Sequence, residues 1–181
     1  MIVRLIAGTY GGRKLDAPDR RSTHAMGERV RGALFNSLGA VVQDAVVLDA
    51  FAGSGSLGLE ALSRGAAHCT FIEKDRIAAK IITKNCELLR VQSSTKVVGA
   101  GLASWIDTNQ DAQFDLIFAD PPYHDEQFST VKKLFGLLKP GALMVLSHSG
   151  KGEVPVQTGI VVVDNRSYGN AHLTYFRRDD A

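Results

Sequence analysis

Val46-Val47-Leu48-Asp49 runs without a break into Ala50-Phe51-Ala52-Gly53-Ser54-Gly55-Ser56-Leu57-Gly58, and this join constrains the fold more than any other stretch. A short apolar run reads as a buried strand, and residues 56–64 read as a helix. Gly53, Gly55 and Gly58 therefore place G-x-G-x-x-G between a strand and a helix, the setting in which that motif carries meaning. Glycines there let the backbone turn tightly and come close to a ligand at a helix N-terminus. Strands are expected at 45–49, 68–73, 96–98, 114–119 and 142–147, and helices at 56–64, 75–90, 102–107 and 125–138. Such alternation specifies an α/β fold, a Rossmann-like parallel sheet with helices on both faces. Helix 75–90 carries Ile77, Ile81, Ile82, Leu88 and Leu89. In helix 125–138 Phe128, Val131, Leu134, Phe135 and Leu138 point inward, and Lys139-Pro140-Gly141 stops it.

The flanks are shorter. Residues 2–7 and 12–16 read as a hairpin, 27–38 as a helix with Val30, Leu34, Phe35 and Leu38 on one side, and 159–164 and 171–177 as a closing hairpin through Tyr168-Gly169. A chain of 181 residues, 45% hydrophobic and 22% charged, makes one domain with at most a small appendage. The division expected is 1–40, an N-terminal hairpin and basic helix, and 41–181, one compact unit. No apolar run is long enough to cross a bilayer, and the N-terminus is charged too early for a secretory signal, so a cytoplasmic protein is expected. Cys69 and Cys86 have no metal-ligand spacing and read as two buried thiols, with no metal site.

Net charge is only +2, but residues 1–31 hold Arg4, Arg13, Lys14, Arg20, Arg21, Arg29 and Arg31 against Asp16, Asp19 and Glu28, a net of +4. A basic arm on a near-neutral body suits a polyanion, most simply nucleic acid. A solvated basic face would look the same.

Two further features carry chemistry. Glu73 ends a strand twenty residues beyond Gly53, where a carboxylate can take ribose hydroxyls. Those residues alone fit a nicotinamide dinucleotide equally well. Asp49 tilts the balance, because an acid at the mouth of the loop would repel a pyrophosphate. It suits the ammonium and sulfonium of S-adenosylmethionine. The candidate cofactor set is Asp49, Phe51, Gly53, Gly55, Glu73, Lys74 and Asp120. Asp120-Pro121-Pro122-Tyr123 follows the strand 114–119 and forms the candidate catalytic set. Asp120 and the Pro121 carbonyl can accept the N–H groups of an amino group on a base, and Tyr123 can stack on its ring. If the strands ending at Asp49 and Asp120 flank the point where strand order reverses, both motifs face one crevice. A base entering it must be unpaired or flipped out.

Residues 47–62, Phe71-Ile72-Glu73-Lys74-Asp75 and Asp120-Pro121-Pro122-Tyr123 resemble the RsmD family of small-subunit ribosomal RNA guanine-N2 methyltransferases. Residues 29–38 resemble its helix before the first sheet strand, 6–15 its N-terminal hairpin and Tyr168-Gly169 its closing hairpin. The resemblance implies a class I methyltransferase sheet of seven strands with a β-hairpin extension, and S-adenosylmethionine as cofactor. It further implies methylation of the N2 amine of one guanine in bacterial 16S rRNA, by a monomer acting on 16S rRNA or the assembling 30S subunit. Arg4, Arg13, Lys14, Arg29 and Arg31 are the RNA-binding candidates. The chain departs from the family in three places: His24-Ala25-Met26 where Arg-Pro-Thr is usual, Gly32 where glutamate is common, and Gly99-Ala100-Gly101 where many relatives place an acid toward the adenine amine. Competing readings are a DNA amino-methyltransferase (adenine N6 or cytosine N4), a nicotinamide oxidoreductase and a catalytically silent RNA-binding module. Only about 40 residues precede the core, which is little for a DNA target-reading domain.

Overall fold

The structure, a computed structural model, describes residues 2–18 and 26–180. Asp19, Arg20 and Arg21 of the basic arm, with His24 and Ala25, lie outside the described residues. Strands β1 (Ile2–Arg4) and β2 (Lys14–Asp16) form an antiparallel pair, followed by helix α1 (Glu28–Leu38). The main unit runs β3 (Val46–Asp49), α2 (Ser56–Ser63), β4 (His68–Ile72), α3 (Arg76–Leu89), β5 (Thr95–Val98), α4 (Leu102–Thr108), β6 (Phe114–Ala119), α5 (Phe128–Leu134), β7 (Leu138–His148), β8 (Ile160–Tyr168) and β9 (Ala171–Arg178). Its seven strands lie in the order β5-β4-β3-β6-β7-β9-β8. The first five are parallel, β9 runs antiparallel to β7, and β8 pairs antiparallel with β9 at the sheet edge. β3 pairs with both β4 and β6, so the order reverses between β3 and β6, the strands that end at the two motifs.

Neighbouring residues on the central strands feed opposite cores, as in parallel strands buried on both faces. Val47, Leu116 and Phe118 pack with Leu34, Phe35, Leu57 and Ile82 of α1, α2 and α3. Leu48, Ile117 and Ala119 pack with Trp105, Val131 and Leu134 of α4 and α5. Leu5 and Leu15 join the first core, which seats the N-terminal hairpin on the sheet domain. Cys69 and Cys86 are buried free thiols in that core.

A buried carboxylate anchors the hairpin. Glu60 of α2 accepts the Ile6 and Ala7 N–H groups at 2.8 and 3.1 Å, pairs with Arg64 at 2.9 Å, and lies 3.6 Å from Arg31 Nε. Arg31 also donates to the Arg4 carbonyl. The expectation that Arg31 meets RNA is therefore corrected: its side chain is 1% exposed and its charge is spent inside the protein. A buried ion pair adds little net stability, but breaking it strands a charge.

Helix boundaries differ in two places. The helix expected from residue 125 begins at Phe128, because Pro121 and Pro122 hold the chain extended and the Asp125 N–H closes a turn onto the Pro122 carbonyl. It ends in a 3-10 turn, Phe135–Leu137, and Leu138 already belongs to β7. Lys139-Pro140-Gly141 thus lies inside a strand. Phe114 pairs with Leu138 but Leu116 with Leu143, so the extra β7 residues form a bulge, where a residue lacking an N–H is tolerated. On α3, Ile82 and Leu89 are buried, whereas Ile77 and Leu88 are 56% and 52% exposed.

Candidate functional site

The C-terminal ends of β3, β4, β6 and β7 open onto one cavity of about 930 Å³, within the size range of small-molecule sites. Gly53 takes φ +57°, a left-handed conformation costly to other residues, and a Cβ there would meet no protein atom within 4 Å. The loop backbone is thus open to a ligand. Glu73 braces it: one carboxylate oxygen accepts the Gly53 N–H at 2.9 Å and the other the Asp75 N–H at 2.8 Å. Each oxygen keeps a lone pair for a further donor. Asp75 then caps α3 through the Ile77 and Ala78 N–H groups.

Phe51, Gly53, Glu73, Lys74 and all four residues of Asp120-Pro121-Pro122-Tyr123 line this cavity. Gly55 and Asp49 do not. Gly55 turns the chain at φ +81°, and a Cβ there would crowd Ile82 and Phe71. Asp49 is 1% exposed and accepts the Gly58 N–H at 3.0 Å, tying the loop to the start of α2 from behind. Burial pushes its pKa well above the usual carboxylate range, and the nearby Asp120 and Glu73 charges add to this. Asp49, expected to meet the ligand, is instead buried outside the cavity lining, with one carboxylate oxygen held by the Gly58 N–H.

Asp120 sits at the tip of β6. Burial lifts its pKa to about 7, while a hydrogen bond with Ser147 pulls it down. Ser147, at the end of β7, also bonds the Tyr123 hydroxyl at 2.8 Å, so one serine orders two of the four motif residues. Sequence reasoning missed it; the only signal was a polar residue ending a strand in a parallel sheet. It also missed Met26, Val30, Gln127, Tyr168 and Asn170, which come to the cavity from the N-terminal segment, the start of α5 and the β8–β9 turn. Ala100, of the Gly99-Ala100-Gly101 stretch, lines the wall of the cavity.

Lys74 is the one lysine or arginine among the described lining residues. Three acids (Glu73, Asp75 and Asp120), one cation and an apolar wall of Phe51, Ile72 and Leu102 fit a ribose, a cationic sulfur and an adenine better than a pyrophosphate. Of the RNA-binding candidates, Lys14 and Arg29 are exposed, Arg4 is exposed and paired with Glu28 at 3.0 Å, and Arg13 is exposed and donates to the Leu88 carbonyl.

The family model described as conserved hypothetical protein 95 matches residues 3–177. Ribosomal RNA small subunit methyltransferase D of Haemophilus influenzae is 38% identical over 150 residues, covering 78% of this chain and 76% of that protein. The Escherichia coli protein of the same name is 42% identical over 121 residues, covering 67% of this chain and 60% of its own length. The chain belongs to the RsmD family. A solved structure of yhhF from Escherichia coli, a candidate methyltransferase, superposes with a TM-score of 0.89 at 34% identity, covering 99% of each chain. The seven-stranded sheet is the fold this chain shares with that structure, and the relatives' names make the family one of methyltransferases.

Proposed function

We propose that this chain methylates the exocyclic N2 amine of a guanine in small-subunit ribosomal RNA, working in the cytoplasm as a monomer on 16S rRNA or the assembling 30S subunit. The observation that carries this is that Glu73 and the glycine loop share one cavity with Asp120-Pro121-Pro122-Tyr123. The names of the relatives support ribosomal RNA as substrate.

S-adenosylmethionine, when bound, supplies a methyl group made electrophilic by its sulfonium. Glu73 would hold the ribose hydroxyls, and Phe51, Ile72 and Leu102 the adenine. An amine on an aromatic base is a poor nucleophile, because its lone pair is delocalised into the ring. Asp120 and the Pro121 carbonyl accept its two N–H groups and favour the geometry that frees the lone pair. Tyr123, its hydroxyl tied to Ser147, offers a ring to stack on the extruded base, worth about 1–3 kcal/mol. Nitrogen–methyl bond formation leaves a proton to be shed, and Asp120 can take it and pass it to water, since its pKa is about 7. Rate enhancement comes from positioning and electrostatics. Residues 1–40 present Arg4, Arg13, Lys14 and Arg29 to the RNA.

Labelled methyl transfer to naked 16S rRNA, 30S particles and duplex DNA tests this, with mass spectrometry of the modified nucleoside. N2-methylguanosine from an rRNA substrate is expected. Label in adenine or cytosine of duplex DNA would replace this reading with the DNA amino-methyltransferase.

A further inference from the structure

The exposed side of α3 carries a row of cations that the cofactor and base chemistry does not use. Arg76, Lys80 and Lys84 follow one another at four-residue spacing, all exposed, so they stack along one face at about 6 Å per step. One end of the row meets the cavity, where Lys74 lines the rim two residues before Arg76. The other end meets the N-terminal hairpin: Arg13 donates to the Leu88 carbonyl at 3.3 Å, and Lys84 lies 3.8 Å from Asp16. Arg90, in the left-handed conformation just past the helix, is exposed beside them.

In residues 13–16 and 74–90, seven cations face only Asp16, Asp75 and Glu87, and Asp75 serves as the α3 cap. Residues 91–180 hold ten acids and eight cations. The positive field is therefore concentrated on one side of the sheet, from the cavity rim to the hairpin. That side is the one where Ile82, Cys86 and Leu89 of α3 pack on the first core; α5 covers the opposite face.

We propose that this face of α3 is a track for the RNA backbone flanking the target nucleotide, with Arg76, Lys80 and Lys84 as successive phosphate contacts between cavity and hairpin. The inference rests on the rRNA reading above. A strand whose base enters the cavity must carry its phosphates out over the rim, and among the described residues this row is a continuous cationic path leading from it. Arg and Lys at a phosphate backbone contribute affinity and register rather than sequence choice. The track accordingly places the nucleotide without selecting it.

The test uses the full chain with Arg76→Glu, Lys80→Glu and Lys84→Glu combined, against a control with Lys132→Glu and Lys133→Glu on α5. Affinity for naked 16S rRNA is measured from 50 to 200 mM salt, beside calorimetry with S-adenosylmethionine and methyl transfer. Losing three phosphate contacts should lower the log–log salt slope by about 2 to 3. KM for RNA should rise at least tenfold, with kcat at saturating RNA and cofactor affinity unchanged. The control should keep the wild-type slope. If the charge reversals prevent folding, the triple glutamine variant is measured instead, with the same slope change expected. An unchanged slope, or an equal loss in the control, overturns the track. So does wild-type affinity for naked rRNA with a loss only on 30S particles, which would assign the face to a protein partner. A wild type that binds rRNA but transfers no methyl to it sinks the reaction reading alone, and a slope lowered in the triple variant would still support the track.

Discussion

Asp120→Asn preserves the size of the side chain and removes its charge. The fold holds the Asp120 proton to about pH 7, against 3.8 for an ordinary aspartate. At about 1.36 kcal/mol per tenfold change in proton affinity, that gap is a ceiling of roughly 4 kcal/mol against the ionised form. Water reaching the cavity mouth lowers the expected cost to about 1–2 kcal/mol. The sign follows from linkage. The protonated site contributes its full stability below pH 3.8 and loses it as pH rises through about 7. The asparagine variant escapes that loss. Urea unfolding of both proteins at several pH values from about 4.5 to 8.5 should give similar stabilities at the acid end. The variant should gain steadily to a plateau above about pH 7. Methyl transfer should fall by about 10²–10⁴-fold, because the amide cannot take the proton. In the wild type, activity should rise with pH toward a plateau above about 7. A stability difference that stays flat across this range would refute the argument, whatever happened to activity.

Glu73→Ala should weaken S-adenosylmethionine binding at least tenfold, about 1.4 kcal/mol, since the ribose acceptor and the brace on Gly53 go together; unaltered affinity by calorimetry would remove the assignment. Glu60→Gln should cost about 3–5 kcal/mol in urea unfolding because Arg31 keeps a buried, unpaired charge, and adding Arg31→Met should restore much of it. A loss under about 1 kcal/mol would show that Arg31 finds water. Gly58→Ala would bring a Cβ to 2.4 Å from Phe71 Cε1 and 2.6 Å from Cys69 Sγ. It should destabilise by about 1–3 kcal/mol in the same assay, and a neutral result would mean that α2 slides freely on β4.

Strand–helix alternation, the glycine loop and Asp120-Pro121-Pro122-Tyr123 were all legible in the chain. Each depends on residues within a few positions of one another, where periodicity and turn chemistry act. Val47 and Leu48 show this: an unbroken apolar run meant burial on both faces, and they feed the two cores. Long-range pairing was invisible. Arg29 and Arg31 look alike in sequence, yet one is exposed and the other is buried against Glu60, a partner 29 residues away. Pro140 looked like a helix stop and sits in a bulge, because β6 offers β7 no partner there. Asp49 looked like a ligand contact, but the Gly58 N–H behind the loop takes its carboxylate. Ser147 had no local mark beyond being a polar residue near a strand end, since what it orders depends on β7 lying beside β6. Local spacing thus announced the elements and the candidate motifs, while partners brought together by folding decided which charges face the cavity and which hold the protein together.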